Sequence, residues 1–381
     1  MRLRALVLFY FALLTCASSQ SLPTPTFDLM TDQVGWVAGL TRLYWTTNGG
    51  LTWTDVTPYT PSSCLTQPDC DPCNETTVGP QYFLSSVFFL NTSAGWAVLG
   101  RDNDDYDEDD ESSQPVEFSI ATTTDAGVTW SIKPLDVPRQ WGQIASATRL
   151  TFSDARHGWI NFSILSNVAF DPGFMLMTDD GGKNWHMPQA DPHRGGAIRF
   201  VTEKRGWLVG ELGELLSTTD GGNSWKEVAL NPPSHLKGDF RETYFLPAFS
   251  DKNFGYLPVF FEGNEERGSW LQIFTTHNAG RQWKPIATFQ SPNESLVERL
   301  PARFHGTSIA PFLSNSTINL KRKQTRIISD AYQPGSHSFS KFTFTSRTTG
   351  WASDLMPRIG DLWSTSDAGK TWKKITPPVI Y

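Results

Sequence analysis

Six times along the chain the same short corner returns: a hydroxyl residue, a small polar residue, a glycine and a tryptophan. It reads TTNGGLTW ending at Trp53, TTDAGVTW at Trp130, TDDGGKNW at Trp185, TTDGGNSW at Trp225, THNAGRQW at Trp283 and TSDAGKTW at Trp372. Ahead of each corner stands a glycine followed by an aromatic, at Trp36, Trp96, Trp159, Trp207, Tyr256 and Trp351. Seven positions earlier again comes an apolar residue: Leu29, Phe89, Phe152, Phe200, Phe249 and Phe344. These three columns account for 11 of the 15 tryptophans, and repetition on this scale is the mark of a repeat architecture. The length of 381 residues, which alone would suggest two or three domains, therefore reads as one domain over 20–381.

Each repeat reads as four short strands. In the cleanest copy they fall at 197–201, 207–210, 215–218 and 225–229, with alternating apolar residues and glycine-rich turns that suit antiparallel meanders. No segment carries a helical period of useful length. The corner has its own chemistry. Asp220 can accept backbone N–H bonds from the residues that follow, Thr218 can tie down the same turn, and Gly222 can adopt a positive φ. Trp225 then buries a large face between neighbouring sheets. Asn48 and Asn278 stand where Asp125, Asp180, Asp220 and Asp367 stand in the other copies, keeping the acceptor oxygen without the charge. That exchange argues for turn-holding and against catalysis or metal binding.

The S/T-x-D-x-G-x-T-W pattern resembles the Asp-box, or BNR repeat, of β-propellers. With its preceding Gly-Trp and Gly-Gly elements it is most similar to the photosystem II assembly/stability factor-like propellers. The resemblance covers nearly the whole chain after the leader. It implies an all-β propeller of four-stranded antiparallel blades arranged radially, and says little about activity. Box tryptophans stand 77, 55, 40, 58 and 89 residues apart, and the last gap is about two blades long. A degenerate blade is therefore expected at about 290–340, giving seven in all; six with one long insertion is the alternative. The first repeat opens on its first strand and the last closes on its fourth, so no strand exchange is expected to close the ring.

Charge and leader narrow the setting. The formal charge is −7, and eight of the acids fall within 102–111, so the remainder carries −7 + 8 = +1. No broad basic footprint for nucleic acid exists. Arg2 and Arg4, the apolar run 5–14 and the small residues Ala17, Ser18 and Ser19 read as a secretory signal over 1–19. A lipoprotein modified at Cys16 is the rival reading. Ten apolar residues fall short of the ~20 that span a bilayer, so no transmembrane segment is expected in the mature, exported and monomeric chain. Cys64, Cys70 and Cys73 then allow one local disulfide with a thiol left over; zinc would want a fourth ligand, and no His lies nearby. No metal or cofactor is expected. Sequons occur at Asn74, Asn91, Asn161, Asn293 and Asn315.

The turns joining strands one to two and three to four keep constant length and emerge on one face. The opposite face carries the strand two-to-three loops and inter-blade links, whose lengths vary, and recognition of a protein or glycan is expected there. Its candidates are the acidic run with Asp105, Asp107 and Asp109, and the tryptophans Trp141 and Trp270 outside the repeat. The run lacks the glycine and closing glutamate of an EF-hand loop and reads as a solvated insertion. Sialidases share the box, but the early Arg-Ile-Pro of those enzymes is missing. Tyr244 near Glu242 and Tyr332 near Asp330 are the Tyr/acid pairs that sequence adjacency offers. A non-enzymatic protein-binding or assembly scaffold is the first reading, and a carbohydrate-active propeller, sialidase-like hydrolase or lectin, the second.

Overall fold

Alternating apolar residues between tight turns leave the chain no way to bury its faces except by stacking sheet on sheet. The computed structural model describes residues 26–59, 82–103, 116–138, 144–164, 172–210, 213–290, 308–309, 316–319, 324–327, 339–346, 348–354, 361–367, 369 and 371–375. These form a β-propeller built from consecutive antiparallel sheets, with no α-helix among the described residues. The leader, the three cysteines, Asp105, Asp107, Asp109, Trp141, Asn74, Asn293, Asn315, Asp330 and Tyr332 lie outside the described residues.

The first blade is Thr26–Leu29, Gly35–Ala38, Leu43–Thr46 and Thr54–Asp55, each strand pairing with the next. The second is Tyr82–Phe89, Gly95–Asp102, Val116–Thr123 and Ser131–Pro134. The third has three strands, Ile144–Phe152, Gly158–Ile164 and Gly173–Thr178, and its expected fourth is reduced to a bridge between Met177 and His186. The fourth is Ala197–Phe200, Gly206–Val209, Leu215–Thr218 and Lys226–Glu227. In the fifth, Arg241–Tyr244 and Ala248–Phe249 share the long partner Gly255–Glu262, followed by Trp270–Thr276 and Lys284–Gln290. An unmarked three-stranded sheet follows within the stretch expected to be degenerate: Ser308–Ile309, Ser316–Asn319 and Gln324–Ile327. The last blade is Phe339–Phe344, Gly350–Asp354, Leu362–Thr365 and Lys373–Ile375.

The repeat columns are the interlock between blades. Phe152 pairs across strands with Gly158, and Phe200 with Gly206. Each ring folds back over its glycine so closely that an added Cβ would lie 2.4 Å from Phe152 or 2.5 Å from Phe200, which is why glycine holds that column. The preceding blade's tryptophan stacks on the same ring, Trp96 on Phe152 at 3.7 Å and Trp159 on Phe200 at 3.5 Å between centroids. The box tryptophan closes the ring's edge, with Trp185 and Trp225 at 86° and 82° to it. Trp159 and Trp207 are fully buried by this sandwich, and burial of aromatic area on this scale dominates the energy of a sheet stack.

The ring closes with the same contact. In the first blade Leu29 replaces phenylalanine, and Trp351 of the last blade fills the space, 2.6 Å from where a Cβ on Gly35 would sit. Trp351 lies 5.5 Å from Trp53, and the Thr343 and Thr345 hydroxyls donate to Asp28 and Asp32. Both blades are built from consecutive strands, and among the described residues no strand is exchanged across the seam.

Candidate functional site

Each corner spends its polar atoms on itself. The Thr218 hydroxyl donates to Asp220 Oδ1 at 2.8 Å and accepts the Gly222 N–H at 2.9 Å. Asp220 Oδ1 accepts the Ser224 N–H, and its Oδ2 accepts the Ser224 hydroxyl. Asp125 and Asp367 repeat the pattern with Thr129 and Thr371, and Asp180 with Asn184. Desolvation acts to raise the Asp180 pKa, but hydrogen bonds from Asn184, Thr178 and Lys183 together overcome it and leave the carboxyl at about 2. Asn48 and Asn278 keep the acceptor role toward Thr52 and Gln282. Their tryptophans, Trp53, Trp130, Trp185, Trp225, Trp283 and Trp372, are half-buried at blade junctions.

A further column is one that sequence reasoning missed. Five positions before each Gly-aromatic residue stands a short acceptor: Thr31, Asn91, Asp154, Thr202, Asp251 and Ser346. Each caps the strand one-to-two turn by accepting the N–H groups two and three residues on. The signal for it is the run of Thr, Asn, Asp and Ser, the residue types that make such turns. The two turn sets are clasped together. The N–H of Gly49, Ala126, Gly181, Gly221 and Ala279 donates to the carbonyl of Gln33, Ser93, Arg156, Lys204 and Asn253 respectively, at 2.8–3.0 Å. One face of the disc is thus a ring of fastened turns.

The other face is uneven. The second strand has four residues in the fourth blade and eight in the fifth, an excess of four that raises the fifth by roughly 13 Å at a strand's rise per residue. The second and third blades are tall as well, at eight and seven residues. Over the low fourth blade several polar groups converge. Asn161 is fully buried, and its Nδ2 donates to the carbonyls of Arg194 and Gly196. Arg194 Nε donates to Glu214 at 3.1 Å. Asp191, whose carboxylate is 3% exposed, accepts the N–H groups of Met175 and His193, and burial raises its pKa against those bonds. On the flanking wall the Tyr244 hydroxyl donates to Glu242, and desolvation, reinforced by Glu242, pushes the phenol pKa above its ordinary value. Trp270 is half-buried, donates to the Arg267 carbonyl at 2.8 Å and meets His235 edge-on at 5.7 Å. Near the axis Arg149 of the third blade feels the charge of Asp28 in the first, two non-neighbouring blades; burial lowers the arginine pKa and Asp28 opposes that. Arg199, on the inner strand of the fourth blade, donates to the Pro247 carbonyl. Among the described residues no three His, Cys, Asp or Glu side chains gather as metal ligands.

No family model matches the chain. Over 140 residues it is 31% identical to the chloroplastic photosystem II stability/assembly factor HCF136 of Arabidopsis thaliana, a match covering 32% of this chain and 31% of that protein. Over 161 residues it is 30% identical to the photosystem II assembly lipoprotein Ycf48 of a Synechococcus strain, covering 41% and 40%. The chain resembles the photosystem II assembly factors. The matches span well under half the length of those curated relatives. Among solved structures, YCF48 from Cyanidioschyzon merolae superposes with a TM-score of 0.47 and 16% identity over 78% of this chain and 87% of that one.

Proposed function

We propose that this chain is an exported, non-enzymatic propeller that binds a protein partner on its uneven face, as an assembly scaffold. The observation that carries the reading is the sequence likeness to photosystem II assembly factors, over 32% of the chain in one match and 41% in the other. Two features support it. The box carboxylates are engaged in their own turns, which leaves them a structural role, and the polar groups without a repeat counterpart sit on the face whose blades differ in height. The basic start and apolar run of the leader support export, with lipidation at Cys16 as the other route. The test is affinity capture with the purified chain followed by crosslinking. Crosslinks to Arg194, Arg241 or Lys237 support the reading; crosslinks confined to Lys204, Lys252 and Arg281 on the fastened face overturn the choice of face.

One observation favours a second reading, glycoside hydrolysis: the Tyr244–Glu242 hydrogen bond, which pairs a phenol with a carboxylate as a hydrolase nucleophile requires. A screen against fluorogenic glycosides and sialosides separates the two. Turnover that is lost in Glu242→Gln would replace the scaffold reading.

A further inference from the structure

The chain carries two Asn-x-Ser/Thr sequons on described residues, and the fold treats them oppositely. Asn161 is fully buried, and both hydrogens of its amide are used, toward the Arg194 carbonyl at 3.1 Å and the Gly196 carbonyl at 2.9 Å. Replacing either hydrogen breaks one of these bonds in a site with no room for a sugar. Asn91 is exposed, and its whole turn-capping role falls on Oδ1, which accepts the Ser93 and Ala94 N–H groups and the Ser93 hydroxyl at 2.8–2.9 Å. Its Nδ2 has no partner among the described residues. Substitution at that nitrogen leaves Oδ1 free to keep all three bonds.

The geometry points to Asn91 as a site of N-linked glycosylation on the fastened face of the second blade. The inference rests on the export reading for the compartment in which it operates. The donor is a lipid-diphosphate-linked oligosaccharide presented by a transferase. The Asn91 Nδ2 bonds to the anomeric carbon, the bond from that carbon to the diphosphate oxygen breaks, the lipid diphosphate leaves with the electron pair, and one amide proton is lost to a base. The glycan then projects from the turn ring and leaves the uneven face open.

The experiment is secretion of the full chain from a eukaryotic cell line, with its own leader in one arm and a proven secretory leader in the other. Glycans are removed by an amidase in heavy-oxygen water, which marks each formerly glycosylated asparagine as labelled aspartate for peptide mapping. Label on the Asn91 peptide in most molecules and none on the Asn161 peptide is the expected result. Asn91→Asp, which keeps the acceptor oxygen, should lose that label without a shift in unfolding midpoint. An unlabelled Asn91 in the proven-leader arm, or label at Asn161 in folded protein, overturns the proposal. Retention of the chain only in the own-leader arm counts against export and leaves the result at Asn91 standing.

Discussion

Thr218 and Asp220 divide the work of one corner unequally, and substitution should reveal it. Thr218 is buried and its hydroxyl serves the Gly222 and Asp220 N–H groups, so Thr218→Ala strands a buried donor and should cost about 2 kcal/mol in a urea melt. Asp220→Asn imitates what Asn48 and Asn278 already do and should cost under about 1 kcal/mol. Asp191 gives the pH test. Its native pKa is raised, chiefly by burial, so the fold favours its protonated form; that contribution is present at low pH and is lost as pH rises through the native value. Asp191→Asn cannot ionise but keeps only one of the two acceptor oxygens that Met175 and His193 use, so its stability relative to the parent should be lowest in acid and improve as pH rises, read from melts across the pH range.

At the scale of the blade junction, one tryptophan column holds two kinds of bond. Trp159 Nε1 donates to the Gly221 carbonyl at 2.8 Å, and Trp96 to the equivalent Gly181. Trp36 and Trp207 leave the same atom buried and unpaired, and in both junctions the corner residue is alanine at positive φ, Ala126 or Ala279. At Ala279 the carbonyl is taken instead by Arg205 Nε. Trp159→Phe should therefore cost about 1–3 kcal/mol, while Trp207→Phe, which removes an unsatisfied donor, should cost clearly less in the same denaturant series. The columns themselves are legible from residue spacing alone, because a ring folded over a glycine needs a fixed register and hence a fixed interval along the chain. Differences in blade height are legible too, as long gaps between glycine and corner. The gathering of Asn161, Asp191, Arg194 and Glu214 is not, since it joins two blades through an irregular link that has no period. The cap column lies between these cases: its position is constant, but four residue types share one job and blur the pattern.

Closure is the property of the whole ring. Trp351 packed on Gly35 and Trp53, with Ile375 against Gly50, repeats at the seam what Val56 against Gly127 does between the first two blades. Trp351→Ala should lower stability by about 3–5 kcal/mol and accelerate amide hydrogen exchange in the first and last blades before the third and fourth. A seam that, among the described residues, is closed by side-chain contacts with no shared strand also means that the order in which the blades are translated carries no structural privilege. A circularly permuted chain, opened in the link before Ala197 and joined through the native termini by a flexible linker, should reach the same native state.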